Sequence, residues 1–295
     1  MRLILIYQPA DADKNIEYIK LYQNECKRRG LEFSLMIMGA PGCGVNYANE
    51  GIPFCFFDPA KYPYEPDAEA ADSIFINRSR DAALTGRLEK AGFQVYNDSL
   101  TAELGNDKLK AIRFMEELDI PVMKTYENAP AFFPFIMKTT DGHGGDEVFL
   151  IKNEEELKNT SAHLKGRKLI YQEFCDTPGR DKRVYIVGNK VVAAMLRTSN
   201  TDFRSNYSLG GNAGISELTP EERMIVDKIL SRMTIGHAGI DLIYHKGHPV
   251  FNELEDVVGS RMLYRYTDID VVKLFMDHIV KKEQNAKTAP CSFDQ

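Results

Sequence analysis

The chain has 295 residues, of which 43% are hydrophobic and 27% are charged, and it carries a net charge of −6 at pH 7. This length predicts two or three lobes rather than one small core, and the acidic balance argues against non-specific binding to nucleic acid. No apolar span is long enough for a membrane helix, and no apolar stretch follows a charged N terminus, so neither a membrane segment nor a signal peptide is predicted.

The first third of the chain has the pattern of an α/β lobe. Residues 2–7 form a short apolar run typical of a buried parallel strand. A polar, helix-compatible segment runs from about Asn15 to Arg29, and Gly30 is suited to end that helix. A second apolar run at 33–38 completes a predicted βαβ unit.

The next segments predict loops and one more strand. Residues 39–44 are rich in glycine, but they lack the spacing of a phosphate loop, so a connecting loop near a substrate is predicted. Residues 58–67 carry prolines and aromatics and predict irregular surface. A buried strand is predicted at 73–77, followed by Arg78 and Arg80. Arginines at the C-terminal end of a strand lie where α/β sheets bind ligands, although they can equally cap the following helix or face solvent.

A change in composition after residue 97 predicts the first domain boundary. Asn106 precedes an amphipathic helix and is predicted to be its N-cap, and Pro121 is predicted to follow the end of that helix.

Two predicted strands, 135–138 and 148–151, flank a glycine-rich loop at 139–147. Its backbone N–H groups are free to wrap anionic oxygens, but a glycine-rich turn is common in ordinary hairpins. Lys138 at the edge of the loop strengthens the phosphate interpretation, because a lysine beside glycines is a point charge for phosphate.

The following segment predicts a strand at 168–174 and a hairpin of 183–187 with 191–196. The long polar stretch 197–214 is predicted to be functional or disordered. A capping box at 219–222 predicts a helix to about residue 233. A last helix is predicted from 270 to about 281, and the polar tail after it is predicted to fray.

Before that last helix, two apolar runs flank a Lys246-Gly247 turn signal and predict a β-hairpin. A three-residue loop centred on Gly247 places Asp241 opposite Glu253. A two-residue loop at Lys246-Gly247 places Asp241 opposite Asn252, and a bulge is then needed to bring the carboxylates together. The sequence leaves both registers open.

The acidic residues of this hairpin form a candidate metal site. Glu253 and Glu255 are two apart, so on a strand their carboxylates leave the same face. With Asp241 opposite them, three like charges would repel one another unless cations hold them together. Hard divalent cations such as Mg²⁺ or Mn²⁺ suit these oxygen ligands. The alternative is a solvated edge with acidic side chains.

Cysteine and histidine do not predict a zinc site. The five cysteines are odd in number, widely spaced and without a C-x-x-C pair, which favours reduced thiols in the cytoplasm. His245 and His248 flank the hairpin turn without further ligands, so turn polarity explains them better than a metal.

These parts together point to a family. From about residue 104 to residue 280 the chain resembles the ATP-grasp superfamily, and within it the RimK-like carboxylate–amine ligases. The segment that carries the resemblance is GRDKRVYIVGNKVVAAM at 179–195, followed by DFRSN at 202–206 and by Gly210-Gly211. The resemblance implies an α/β (α+β) ATP-grasp fold with an N-terminal α/β pre-ATP-grasp domain. The implied divisions are this first domain at 1–97, a subdomain with a glycine-rich flap at 98–168, a subdomain with the metal site at 169–282, and a polar tail at 283–295.

The resemblance also implies a nucleotide site. Its ATP-binding residues would be Lys108, Lys138, Gly142, Gly144, Gly145, Glu173, Phe174, Asp181, Arg204, Ser205 and Asn206. The two lysines would contact phosphates, Glu173 and Phe174 would line the adenine hinge, and Asp181 would hold the ribose hydroxyls.

The catalytic residues would be Lys138, Arg204 and Asn206, which would face the reacting phosphate. Two Mg²⁺ or Mn²⁺ ions would be bound by the acidic cluster, whose members are Asp241, Glu253 and Glu255. Replacing Asp241 or Glu253 by its amide is therefore expected to abolish ADP formation and to leave the fold intact.

The implied activity is that of an ATP-dependent carboxylate–amine ligase of the acid–amino-acid type. An acyl phosphate forms from a carboxylate and ATP, and an amine then attacks it. The substrates would be small-molecule or peptide carboxylates and amines, with no nucleic acid or membrane as partner, and a homo-oligomer is left open. The alternatives are a small-molecule kinase or phosphotransferase on the same nucleotide site, and a non-catalytic nucleotide-binding protein.

The chain departs from the family pattern at two positions near the substrate. Glu255 stands where the family usually has Asn, and Leu209 stands where it commonly has Arg. We expect the missing charge to be replaced by Arg78, Arg80 and Arg261, so that an acidic substrate is still bound.

Overall fold

The computed structural model describes residues 1–39, 47–59, 72–205 and 211–288. Within these ranges the chain forms a parallel sheet, a small antiparallel sheet and a larger antiparallel sheet. The predictions for residues 40–44 and 60–67, for Asn206 and Leu209, and for the tail beyond 288 lie outside the described residues.

The first sheet has five parallel strands in the order β3-β2-β1-β4-β5. They are β1 (Arg2–Tyr7), β2 (Glu32–Met38), β3 (Phe54–Phe57), β4 (Ser73–Asn77) and β5 (Gln94–Tyr96). The associated helices are α1 (Pro9–Lys14), α2 (Ile16–Arg29) and α3 (Ala82–Lys90). Gly30 ends α2 at φ +66°, where its N–H donates to the last turn, as predicted. The βαβ prediction is confirmed.

Two short helices, α4 (Ser99–Asn106) and α5 (Lys108–Glu117), lead out of this sheet. The prediction that Asn106 caps the amphipathic helix is wrong. Asp107 is the cap, because its carboxylate accepts hydrogen bonds from the N–H groups of Leu109 and Lys110. Asn106 instead ends α4, and its amide donates to Asp256 Oδ2 at 3.2 Å.

The small sheet is antiparallel, in the order β6-β9-β7-β8. It consists of β6 (Thr125–Tyr126), β7 (Phe135–Thr139), β8 (Val148–Ile151) and β9 (Leu169–Glu173), with α6 (Glu154–His163) between the last two. The predicted strands around the glycine-rich loop and at 168–174 are confirmed.

The larger antiparallel sheet has the order β12-β11-β10-β13-β14. Its strands are β10 (Arg180–Val187), β11 (Lys190–Thr198), β12 (Asn212–Ile215), β13 (His237–His245) and β14 (His248–Glu255). The helices α7 (Pro220–Leu230), α8 (Arg261–Tyr266) and α9 (Val271–Thr288) complete the described chain. The predicted capping box of α7 is present.

Two boundaries in this part differ from the prediction. The polar stretch 197–214 is not wholly loop, because Asn212 and its neighbours pair with β11 as an edge strand. The tail was expected to fray after residue 282, but α9 continues to Thr288. Polar residues suit the solvent side of a helix as well as a coil, so polarity alone did not mark the end.

The β13–β14 hairpin takes the second of the two registers. His245 pairs with His248 around a two-residue turn whose residues Lys246 and Gly247 have φ of 53° and 82°. A bulge follows next to Asp241, and Asn252 is the extra residue. The bulge restores Asp241 to a position opposite Glu253, so the predicted carboxylates converge.

The first sheet shares its hydrophobic core with the C-terminal part of the chain. Leu5 and Ile37 of the parallel sheet belong to one buried cluster with Tyr185 of β10 and with Val272 and Phe275 of α9. The small sheet and the β13–β14 hairpin pack around separate hydrophobic clusters. In the described ranges, no helix has both the length and the apolarity needed to cross a membrane.

Candidate active site

An open cleft lies between the small sheet and the β13–β14 hairpin, and its enclosed volume is about 120 Å³. Nearly all residues of the predicted nucleotide site line it, namely Lys108, Lys138, Gly142, Gly144, Gly145, Glu173, Phe174, Asp181, Arg204 and Ser205. Glu253 and Glu255 line the same cleft, whereas Asp241 lies behind them and is buried. Asn206 is outside the described residues.

One end of the cleft is apolar. Met123, Ile136 and Ile243 line it together with Phe174, on the side of the predicted adenine hinge. Glu173 accepts a hydrogen bond from the hydroxyl of Tyr126 at 3.1 Å. A flat heterocycle fits such a slot of apolar side chains with a few polar groups at its edge. The sequence did not indicate these three apolar residues, because nothing distinguishes them locally from ordinary core positions.

The other end of the cleft holds two buried lysines. Lys108 forms an ion pair with Glu253 at 3.1 Å and also donates to the carbonyl oxygen of Gly142. Lys138 is 4% exposed. Burial lowers the pKa of Lys138 to about 8, although the charge of Glu253 opposes the shift. A phosphate group placed here would favour the charged form of Lys138.

The loop between β7 and β8, residues 140–147, covers this end as a flap. Gly144 and Gly145 have φ of 72° and 86°, in the region that favours glycine. Arg204 donates from Nη1 to the carbonyl oxygen of Gly145 at 2.7 Å and pairs with Asp202 at 2.8 Å. Arg204 and Lys108 are therefore both in contact with the flap.

The carboxylate cluster is held by arginines that the sequence analysis did not identify. Oxygen atoms of Asp241, Glu253 and Glu255 lie within 4.8 Å of one another. Arg183 donates to both oxygens of Asp241 at 2.8 and 2.7 Å and to Glu255. Arg197 donates to Asp241 at 2.7 Å. Burial would raise the pKa of Asp241, but the two arginines outweigh it and lower this pKa to about 2.

Arg197 also binds Asp181, and each oxygen of this carboxylate accepts from it at 2.6 Å. The ribose contact of Asp181 stays a prediction, and it would have to coexist with this ion pair.

The sequence did contain a signal for one of these arginines. Arg183 lies two residues from Asp181 on β10 and pairs in register with Asp241 on β13. The position of Arg183 in the sequence becomes informative only when the order of β10 and β13 in the sheet is known.

The residues of the cluster fit a divalent cation. All donors are carboxylate oxygens, which suits Mg²⁺ or Mn²⁺. The side chains of Glu253 and Glu255 are 21% and 22% exposed and face the cleft. Asp241 uses three hydrogen bonds to the arginines, while a carboxylate offers about four lone-pair positions, so Asp241 keeps acceptor capacity.

A second cavity of about 530 Å³ adjoins the cleft, and Gly144 and Glu255 line both. It extends toward the parallel sheet and contains the three arginines expected to meet an acidic substrate, Arg78, Arg80 and Arg261. Arg80 forms an ion pair with Asp11 on α1. The structure thus brings the three arginines together, although it gives them different surroundings.

His143 of the flap also lines this second cavity. Burial lowers the pKa of His143 to about 4, and the charges of Arg80 and Lys108 act in the same direction. The imidazole is therefore neutral near pH 7 and can donate or accept a hydrogen bond without adding charge.

The chain is similar to proteins of one family. Residues 106–279 match the RimK-like ATP-grasp domain. A protein from Maridesulfovibrio salexigens named probable alpha-L-glutamate ligase is 30% identical over 225 residues, which is 70% of this chain and 73% of the relative. A protein of the same name from Coxiella burnetii is 28% identical over 221 residues, which is 70% of this chain and 72% of the relative.

Solved structures show the same fold. An ATP-grasp RimK domain protein from Sphaerobacter thermophilus matches with a TM-score of 0.67 at 20% identity, over 94% of this chain and 99% of the other. The D-alanine–D-alanine ligase of Bacillus anthracis, solved with ATP, also matches with a TM-score of 0.67, at 13% identity, over 97% of this chain and 98% of the other. The predicted ATP-grasp fold is confirmed.

Proposed function

The chain belongs to the RimK-like ATP-grasp family, and from that premise we propose that it is an ATP-dependent ligase that joins a carboxylate to an amine. The observation that carries the proposal is the junction of the two cavities at Gly144 and Glu255. A nucleotide with its base at the apolar end of the cleft extends its phosphates toward the lysines and the carboxylate cluster. The terminal phosphate then lies where the second cavity opens.

The reaction begins with attack of a substrate carboxylate oxygen on the γ-phosphorus of ATP. The bond from this phosphorus to the β,γ-bridging oxygen breaks, ADP leaves, and an acyl phosphate forms. An amine then attacks the acyl carbon, loses a proton, and expels inorganic phosphate to leave an amide. Such phosphoryl transfer depends on positioning and charge neutralisation.

Lys108, Lys138 and Arg204 supply positive charge around the phosphates, and the charge developing on the transferred group strengthens their interaction. The flap 140–147 closes over this group. Its closure excludes water, which would otherwise hydrolyse the acyl phosphate. Divalent ions bound by Glu253, Glu255 and Asp241 would add charge neutralisation at the phosphate oxygens.

The arginines behind the cluster have a separate task. Arg183 and Arg197 offset part of the negative charge of Asp181, Asp241 and Glu255, which favours burial of the acidic cluster before any cation binds. They also line the second cavity, where a substrate carboxylate would approach the γ-phosphate.

Two features support an acid–amino-acid ligase, with glutamate as the first substrate to test. The relatives in both organisms are named alpha-L-glutamate ligases. The lining of the second cavity is cationic, since it includes Lys14 and Arg261 besides the arginines already named. Such a surface attracts substrates with more than one negative charge.

Hydroxylamine trapping tests the proposed function. The protein is incubated with ATP, Mg²⁺, hydroxylamine and single acids, beginning with L-glutamate and glutamate-containing dipeptides. We expect ADP and a hydroxamate in equal amounts, since hydroxylamine takes the place of the amine. A stable phosphoester in place of the hydroxamate would indicate a kinase, and nucleotide binding without ADP release would indicate a non-catalytic protein.

The control is a matched pair of variants. Glu253→Gln removes a carboxylate of the cluster and should abolish ADP and hydroxamate together. Glu155→Gln makes the same change at an exposed position of α6 and should leave both unchanged.

A further inference from the structure

The second cavity contains a buried cation that the reaction described above does not use. Arg78 directly follows β4, and its backbone N–H donates to the carbonyl oxygen of Ile6 at 2.9 Å. This hydrogen bond fixes the residue at the carboxyl end of the parallel sheet, beside β1. The residue is 6% exposed and lines the cavity.

The contacts of Arg78 orient its guanidinium without neutralising it. Nε donates to the hydroxyl of Tyr7 at 2.7 Å, and Nη2 donates to the carbonyl oxygen of Val258 at 3.3 Å. The guanidinium carbon lies 4.9 Å from the ring centroid of Tyr18. Among the described residues no carboxylate forms an ion pair with Arg78, and Nη1 has no hydrogen-bond partner there. Burying a charge is unfavourable unless an anion meets it.

The other cations of the cavity differ from Arg78. Arg80 is paired with Asp11, and Arg183 and Arg197 are paired within the carboxylate cluster. Arg261 is exposed, so water can solvate its charge. Arg78 therefore combines burial, a fixed orientation and a charge that has no ion-pair partner among the described residues.

Asp256, a carboxylate in the wall of the same cavity, is already engaged elsewhere. It accepts from the amide of Asn97 at 2.7 Å and from that of Asn106 at 3.2 Å. Its hydrogen bonds hold α4 and β5 against the end of β14. It forms no ion pair with a cation of the described chain, although it lies near enough to Arg78 and Arg80 for their charges to interact with its own.

The guanidinium is close to the place where the substrate carboxylate reacts. Val258, whose carbonyl oxygen it contacts, is three residues beyond Glu255, and three residues span at most about 11 Å. A Cβ placed on Gly239 would lie 2.8 Å from Cγ2 of Val258 and 3.6 Å from Cδ of Arg183, so these two side chains converge on one point of β13. Arg78 and Glu255 also line the same cavity, so a small molecule bound there can lie between them.

We propose that Arg78 binds a second carboxylate of the substrate, one that is not activated. The enzyme thereby selects acids with a negative charge a few bonds from the reacting carboxylate. The inference rests on the proposed function, because the nucleotide cleft locates the reacting carboxylate. Residue 78 lies outside the segment that matches the RimK-like domain, so that match assigns it no role. A guanidinium held flat by an aromatic ring presents paired donors that fit a carboxylate.

Two nearly isosteric probes test the proposal by calorimetry. Glutarate carries two carboxylates, and glutaramate carries one carboxylate and one carboxamide. Each is titrated into the full chain saturated with Mg²⁺ and adenylyl imidodiphosphate. We expect glutarate to bind the wild type about 10- to 100-fold more tightly than glutaramate, the range of a charge-assisted hydrogen bond.

The variants separate this role from a structural one. Arg78→Lys keeps the charge and loses the planar fork, so the preference for glutarate should fall to a few-fold. Tyr7→Phe removes the hydrogen bond that orients the fork and should reduce the preference while keeping the arginine. Arg87→Met, on α3 of the same lobe and outside both cavities, should keep the full preference.

Equal binding of the two probes by the wild type would overturn the proposal, and so would an undiminished preference in both Arg78→Lys and Tyr7→Phe. Failure of the ligase proposal would look different. In that case no acid would yield a hydroxamate, whatever the binding preference. If hydroxamates form while glutarate and glutaramate bind equally tightly, the ligase proposal is supported and the proposed role of Arg78 is wrong.

Discussion

At the scale of single residues, Asp241 and Glu253 belong to one carboxylate cluster but differ in their partners. Asp241 is buried and accepts three hydrogen bonds from Arg183 and Arg197, whereas Glu253 is partly exposed and pairs with Lys108. These contacts change the prediction for one of the two residues: we expect amide replacement to leave the fold intact at Glu253 and to destabilise the protein at Asp241. An amide at Asp241 would turn a donor toward an arginine and leave buried positive charge uncompensated.

We accordingly predict that Asp241→Asn lowers the free energy of unfolding by about 3–5 kcal/mol, the range for removing one partner of a buried ion pair. Glu253→Gln should lower it by less, because Glu253 is partly exposed and forms its ion pair with Lys108 alone, while both variants lose ADP formation. Urea unfolding and an ADP release assay check this. Equal stability of the two variants would show that the arginines do not depend on Asp241.

The lowered pKa of Lys138 predicts that nucleotide binding is coupled to proton uptake. Its pKa of about 8 in the nucleotide-free protein leaves it partly neutral in mildly alkaline solution, and phosphates bound beside it would raise this pKa. Nucleotide binding at pH 8.5 should therefore take up a proton, and nucleotide affinity should fall as the pH rises further.

Calorimetric titration of Mg-ATP in two buffers of different ionisation enthalpy measures this uptake. Lys138→Arg stays charged throughout, so its binding should involve no uptake at that pH. A wild type that binds nucleotide without uptake at pH 8.5 would contradict the lowered pKa or the phosphate contact.

At the scale of elements, the flap is held by the same cations that are proposed to bind phosphate. Lys108 donates to Gly142 and Arg204 donates to Gly145, so bound phosphates would compete for these donors and also bridge the cations to the loop. Arg167 ties the flap ends together through Asp141 and Glu147 on the exposed side, where solvent screens ion pairs and weakens them.

We predict that Mg-ATP slows hydrogen exchange in residues 139–147 and raises the melting temperature, by the mass action of a ligand that binds the folded state. Arg204→Ala should remove most of this protection, and Arg167→Ala should leave it nearly unchanged. Exchange in the flap that does not respond to nucleotide in the wild type would contradict the flap assignment.

At the scale of the whole molecule, the parallel sheet and the C-terminal helices are stabilised together. Phe275 of α9 is 2% exposed and packs against Tyr96 of β5 at 6.0 Å and His237 of β13 at 5.5 Å between ring centroids. Because one core joins these elements, a substitution that destabilises α9 should also destabilise the first sheet, whose strand β4 leads into Arg78.

We predict that Phe275→Ala destabilises the protein by about 3–5 kcal/mol, the usual cost of truncating a buried phenylalanine, and that hydrogen exchange in β1 and β14 quickens together. Leu274→Ala, at a neighbouring position of α9 that is 38% exposed, is the matched control and should have little effect. If exchange in β1 stays at the wild-type rate in Phe275→Ala, the two parts unfold independently.

Much of the architecture could be predicted from the sequence, because it depends on residues that are close along the chain. The apolar runs of β1, β2 and β4, the Gly30 end of α2 and the capping box at Thr219 are local patterns, and the structure contains them. Local patterns are least reliable at the ends of elements. The cap of α5, for example, is Asp107 and not the predicted Asn106.

The tertiary structure decided which charges meet. Nothing local shows that Arg183 and Arg197 pair with Asp241, or that a bulge at Asn252 returns Asp241 to Glu253, since both depend on strand order and register. The sequence by itself determined the family, the fold class and the candidate nucleotide and metal residues. Only the folded chain buries Arg78 in the second cavity, where no carboxylate of the described residues forms an ion pair with it, because that requires β1, β4 and the segment after β14 to pack together.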